Sequence, residues 1–332
     1  MRRLANNLLL LGIIVSAPFT GAAFAEDCYL TLSTTLVGRF ALGSPATFEG
    51  YVADTPVNPA GFNLFSQEYA PKFKVFFNPL GSAVAAESMN FGEDSDGKLE
   101  GKDLFLPLIL FFKGFNFSFH PFELGISLAE QPQSGIVGGR PLEYFPLFDH
   151  YSNRMFLQFE LHEKVALGLS AEFFCEAGKV RGVGWSYGVL IKPGKVSVGV
   201  FYYLLPFKYR NELLARDRIV EDTVNAGLAW QPFRFLKCYL DLRNLSEENS
   251  PAFLEPHLGL ETLIWEHTAL RAGYYREENE SHAFTIGLGL LDLNVFRSLD
   301  EKSVRREFLL DYTFSILPEE NRLHALAIHF RL

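Results

Sequence analysis

The sequence predicts an all-β chain: a transmembrane antiparallel β-barrel of about 14 strands with an N-terminal hatch segment inside it. Three observations predict it. Hydrophobic residues make up 48% of the 332 residues and aromatics 15%, a large apolar surface that must face something other than water. Beyond the N-terminus, no stretch approaches the ~20 consecutive apolar residues of a spanning helix, and amphipathic helical repeats that could cover that surface are almost absent. Apolar residues recur instead at period two, which in an extended chain puts them all on one face.

In chain order, the first element is a secretory signal. Arg2 and Arg3 give a positive start, Leu8 to Val15 an apolar run, and Ala23-Phe24-Ala25 a small-residue cleavage site before Glu26-Asp27. Pro18 interrupts the apolar run too early for a membrane span, so residues 1–25 read as cleaved. A lipid anchor on Cys28 would need small residues before it, where Glu26 and Asp27 stand.

The formal net charge is −9, and losing Arg2 and Arg3 makes it more negative, which excludes nucleic acid as a partner. Three cysteines, Cys28, Cys175 and Cys238, are too few for a disulfide framework and have no metal-ligand spacing. No metal site and no cofactor are expected, and no phosphate-binding glycine loop is present.

Residues 67–332 carry the strands. In the final segment Leu326, Ile328, Phe330 and Leu332 oppose Ala325, Ala327, His329 and Arg331. Upstream, Val165, Leu167, Leu169, Ala171 and Phe173 oppose Ala166, Gly168, Ser170 and Glu172, while Val196, Val198, Val200 and Tyr202 oppose Lys195, Ser197 and Gly199. The same alternation sets Leu240 against Asp241, Leu258 and Leu260 against His257, Gly259 and Glu261, Ile286 against Thr285, and Leu310 against Asp311. One apolar and one small or polar face is the signature of a barrel strand. A soluble β-sandwich would instead alternate between a packed inner face and a polar outer one. At ~9–11 residues per tilted strand plus connections, the segment holds about twelve to sixteen strands.

Short turns at His162-Glu163-Lys164, Lys192-Pro193-Gly194 and Trp265-Glu266-His267 alternate with longer polar connections at 205–220, 244–253 and 297–305, as in barrels of a bacterial outer membrane. Trp185, Trp230, Trp265 and the pairs Tyr202-Tyr203 and Tyr274-Tyr275 read as an interfacial girdle. Glycines within strands allow close approach of the hatch or of neighbouring side chains. The acidic run Glu93 to Gly97 reads as a solvated loop without the ligand spacing of a calcium site.

Residues 26–66 do not alternate, yet Phe40, Leu42, Phe48, Tyr51, Phe62 and Phe65 make them too apolar for a free tail. Within them stands Asn58-Pro59-Ala60-Gly61. Asn58 can hydrogen-bond backbone at a barrel irregularity, Pro59 fixes φ, and Ala60 permits close approach.

That Asn-Pro-Ala-Gly run close after an exported N-terminus resembles the FadL-type long-chain fatty-acid channels and the related barrels that accompany secretion machinery. Phe105-Leu106-Pro107-Leu108 is similar to the family's proline-bearing strand after the first hairpin, and Asp311-Tyr312-Thr313-Phe314 to its penultimate strand. The resemblance implies that residues 26–66 fold back as a hatch inside a fourteen-strand barrel. It implies passive uptake of fatty acids or similar hydrophobic molecules, with membrane lipids as surroundings and no enzymatic activity. The chain is shorter than those channels, so no ligand-contacting residue is carried over. The alternative is a barrel that docks secreted or surface proteins, with a protein partner in the outer membrane.

Asp149-His150-Tyr151-Ser152-Asn153 also resembles the His-x-Ser-Asn stretch of outer-membrane lipid deacylases, which would make His150 a base and Ser152 a nucleophile, with Glu160 or Glu163 orienting the histidine. Met155, Leu157, Phe159 and Leu161 form the apolar set of that strand. His150 and Ser152 share the opposite parity, so an unbroken strand points them inward, away from membrane lipid.

Overall fold

The computed structural model describes residues 28–30, 58–61, 72–78, 111–130, 150–176, 179–204, 223–243, 245, 255–265, 268–276, 282–290, 307–316 and 322–331. The strands among them are β1 Cys28–Leu30, β2 Lys72–Phe77, β3 Phe112–Phe119, β4 Phe122–Glu130, β5 His150–His162, β6 Val165–Glu176, β7 Lys179–Ile191, β8 Val196–Leu204, β9 Thr223–Phe233, β10 Leu236–Arg243, β11 Glu255–Trp265, β12 Thr268–Arg276, β13 His282–Leu290, β14 Glu307–Ile316 and β15 Arg322–Arg331. They form one sheet in which β2 to β15 lie in chain order, each antiparallel to the next. β15 also pairs with β2, through Phe330↔Phe77 and Arg331↔Phe76. No helix of the described residues is long and apolar enough to cross a membrane.

β1 departs from the expectation that residues 26–66 stay outside the strands. Cys28–Leu30 runs parallel to β15, with Cys28 opposite His324 and Leu30 opposite Leu326. Three residues are too few for alternation to be seen in a sequence. Residues 1–25, Phe40 to Tyr51, Phe62, Phe65, Glu93 to Gly97 and Phe105 to Leu108 lie outside the described residues.

The sheet is inverted relative to a soluble one. Leu240 and Ile286 are 42% and 59% exposed, whereas their neighbours Asp241 and Thr285 are 0% and 2% exposed. The pattern holds from strand to strand: Met155, Leu157, Leu167, Tyr187, Val198, Val200, Leu228, Leu258 and Leu260 are exposed, while Gln158, Ser170, Glu172, Ser186, Ser197, Asn225, His257 and Glu261 are buried. The period-two reading therefore holds in register as well as in type. The side chains of Leu310 and Asp311 lie outside the described residues.

Adjacent strand residues face opposite sides, and this corrects the aromatic girdle. Tyr203 and Tyr275 belong to the buried face, since Tyr203 Oη donates to Glu172 Oε2 at 2.9 Å and Tyr275 is buried and stacked on His257 at 4.8 Å. Trp185 and Trp230 are exposed, and the side chain of Trp265 is outside the described set. A second correction concerns the connections. In an antiparallel succession they alternate between the two sheet edges. The turns at His120-Pro121 (a cis peptide), Glu163-Lys164, 192–195 and Arg234-Phe235 share one edge, and the 16-residue connection 291–306 between β13 and β14 opens on that same edge. Turns thus predominate on that edge without being the rule there, and the opposite edge includes the short steps 177–178 and 277–281.

Candidate functional site

The buried face of β5 to β8 is built in cross-strand rows, and near the turn edge two of these rows receive the Asn58 turn. Gln158, Gly168, Gly188 and Phe201 are successive Cα partners, and so are Glu160, Ala166, Leu190 and Gly199 one step closer to the turns. The middle of the first row has no side chains. Asn58, Pro59, Ala60 and Gly61, all buried, lie on that bare strip. A Cβ on Gly168 would overlap the carbonyl of Pro59 and the nitrogen of Ala60, and one on Gly188 would overlap Asn58 Oδ1. Gly168 is needed because backbone lies directly on backbone there, and Gly188 because the Asn58 side-chain amide lies on it.

The turn holds its own shape. Gly61 N donates to Asn58 O at 3.0 Å, Ala60 N donates to Asn58 Oδ1 at 3.0 Å, and Pro59 fixes φ between them. It is fastened to two strands: Asn58 Nδ2 donates to the Val189 carbonyl at 3.2 Å, and Gln158 Nε2 donates to the Ala60 carbonyl at 2.9 Å. Ala60 packs in a buried cluster with Ala166 and Leu190. Asn58 was expected to meet an irregularity in the wall, but the register through Val189 runs without a shift. What admits the turn is missing side chains, not a break in the ladder.

Next to the turn, toward the opposite edge, the same face becomes polar. Ser170 and Ser186 share a hydrogen bond of 2.5 Å. Beyond them Glu172 accepts from Ser152 Oγ at 2.6 Å, from Arg154 at 2.8 Å and from Tyr203 Oη at 2.9 Å. Across the sheet, Glu261 and Arg271 are direct cross-strand partners joined at 2.7 Å, and Tyr239 Oη donates to Glu261 at 3.0 Å. On β3, the buried Lys113 donates to the Leu128 carbonyl at 3.2 Å. Among the described residues, no group of three or more His, Cys, Asp or Glu could hold a metal ion.

Ser152 lies on the buried face, as its parity requires, and its hydroxyl is committed to Glu172. The side chain of His150 lies outside the described set, and its strand partner is Glu176. Glu160 and Glu163 do not reach this site. Eight strand residues separate Glu160 from Ser152, about 26 Å at ~3.3 Å per residue, and Glu160 faces His120 at 3.7 Å while Glu163 contacts Lys164 at 3.8 Å. The orienting role suggested for either glutamate is therefore withdrawn.

Sequence reasoning placed Gln158, Gly168 and Glu172 on the polar face but had no means of joining them to Asn58. Gly188 and the Glu261–Arg271 pair were not singled out. Pairs this far apart in the chain leave no local signal.

No family model and no curated protein matches the chain. Among solved structures it is similar to mutants of the porin from Rh. blastica, at 12% identity and a TM-score of 0.37 over 66% of this chain and 75% of the porin. A second chain, described under asymmetric conductivity of engineered proteins, gives the same values. A TM-score of 0.37 is too low to decide either fold or function.

Proposed function

We propose that the sheet closes through β15 and β2 into a β-barrel of a bacterial outer membrane, and that the chain is a passive channel for long-chain fatty acids or similar hydrophobic molecules. The inverted faces support the membrane: lipid is the solvent in which exposed leucine and buried aspartate are both favourable. The observation that carries the channel reading is the Asn58 turn on its two-glycine strip. A wall that leaves out side chains to seat a piece of its own N-terminal segment is built to hold a plug.

β1 supplies the other end of that segment. It lies on β15, and in a closed succession β15 is four strands from β5 and six from β7, the two strands that fasten the turn. In this reading the segment between the two ties is the plug that spans the lumen. A ligand then passes when the plug shifts, by diffusion and without chemistry, and Ser152, bonded to Glu172, serves as lumen wall and not as a nucleophile with His150 as its base.

Two expectations test this. Asn58→Ala removes the bond to Val189 and the bond from Ala60 N, leaving a folded barrel whose uptake of a fluorescent long-chain fatty acid by reconstituted vesicles differs from wild type by severalfold. Unchanged uptake, with the segment equally protected from protease, would count against the plug. Leu240→Arg places a charge on the apolar face and is expected to cost about 2–4 kcal/mol near the bilayer centre, measured by denaturant-controlled folding into vesicles. Ser197→Arg on the buried face tests the opposite parity; equal cost from lipid exposure at both sites would refute the facing.

A further inference from the structure

We infer that the turn edge of the barrel is a docking rim for the phosphate groups of an anionic phospholipid leaflet; this rests on the membrane reading above. Three neighbouring hairpins carry cations at their tips: Lys164 between β5 and β6, Lys192 and Lys195 between β7 and β8, and Arg234 between β9 and β10. Lys164, Lys195 and Arg234 are exposed and Lys192 half-buried. Successive hairpins in one sheet stand about 10 Å apart, two strand spacings of ~4.8 Å, so the cations form a row and not a cluster.

Backbone bonds make the row rigid. Each tip is tied to the next hairpin: Glu160 N donates to Pro121 O at 2.8 Å, Lys192 N to Lys164 O at 2.7 Å, Gln231 N to Lys195 O at 2.8 Å and Leu263 N to Phe235 O at 2.8 Å. Gly194, with φ of 156°, allows the tight turn between Lys192 and Lys195. Exposed aromatics stand along the same edge. Phe119 and Phe122 flank the first turn, and Phe233 and Phe235 flank Arg234, stacked at 5.4 Å with an interplanar angle of 6°.

Charge identifies the partner. The whole chain is net −9, yet the described tips of these three hairpins carry four cations against one carboxylate, Glu163, which already contacts Lys164; Glu160, near the end of β5, faces His120. Rings at the level of the acyl boundary with ammonium and guanidinium groups just outside it match the layering of a phospholipid leaflet. Long basic side chains reach from apolar surface to phosphate in this way.

The test uses the full-length protein, purified in detergent and reconstituted into vesicles of equal parts phosphatidylglycerol and phosphatidylcholine. Re-extraction in mild detergent and quantification of retained lipid should show about fivefold enrichment of phosphatidylglycerol at low ionic strength, declining at high salt. The variant K164Q/K192Q/K195Q/R234Q should retain the two lipids equally while still folding, judged by heat-modifiable migration. Should that variant fail to fold, K164Q/R234Q, which leaves the third turn intact, should at least halve the enrichment. No preference in wild type, or full preference in the folded variants, overturns the inference. So does enrichment abolished by inorganic phosphate but not by chloride at matched ionic strength, which would mark a small-anion site. If the protein floats with neither lipid, the membrane reading itself fails.

Discussion

Gly168→Ala is expected to drive the Asn58–Gly61 turn off the buried face while leaving the sheet intact. The added methyl would overlap the Pro59 carbonyl and the Ala60 nitrogen, all of them backbone. Neither side can deform in place, because Gly168 is paired to Gln158 on one side and Gly188 on the other and the turn is braced by its own two hydrogen bonds. Overpacking of this kind costs about 1–3 kcal/mol. The two bonds that fasten the turn contribute about 1 kcal/mol each, so the turn yields before the strands do. Gly188→Ala differs in kind, since its methyl meets the end of the Asn58 side chain. Adding Asn58→Ala should therefore bring Gly188→Ala to the level of Asn58→Ala alone, with no further loss from the methyl, and recover none of what is lost in Gly168→Ala. Limited proteolysis of the folded protein in detergent reads this as cleavage within residues 26–66. Gly168→Ala digested as slowly as wild type would mean that the turn is not held where the geometry holds it.

That asymmetry also shows what the sequence could and could not reveal. Alternation is a local property, so Leu240 against Asp241 and Ile286 against Thr285 could be assigned to opposite faces from neighbouring residues alone. Which face is buried was readable too, because one face combined leucine and phenylalanine and the other glycine, serine and charge. The Asn58 motif stood out by composition. Its seat did not, because Gly168 and Gly188 differ in no local respect from Gly199 or Gly227, which face the same side. Only the register of β5, β6 and β7 sets Gly168 and Gly188 side by side beneath a segment about 110 to 130 residues earlier in the chain. The girdle reading failed at Tyr203 and Tyr275 for a reason that was available: two consecutive tyrosines in a strand cannot both face lipid.

Arg271→Met is expected to destabilise the fold by about 3–5 kcal/mol, because it leaves the Glu261 carboxylate buried without its cation. Both side chains are 1% exposed, joined at 2.7 Å, with Tyr239 Oη on the other carboxylate oxygen. Flanking residues face the opposite way, since Leu260 and Leu270 are exposed, and the pair thus lies on the same buried face as Asp241 and Thr285. Replacing both partners, as Glu261→Gln with Arg271→Met, removes the uncompensated charge and should recover most of the loss, whereas two independent contributions would add. Folding into vesicles across a urea series measures both variants. The magnitude also reports on the interior. A water-filled lumen would screen the pair to the ~0–1 kcal/mol of a surface ion pair, and Arg271→Met would then be nearly silent. A cost of several kcal/mol requires the region around β11 and β12 to be dry, as it is when a segment of the chain fills the barrel.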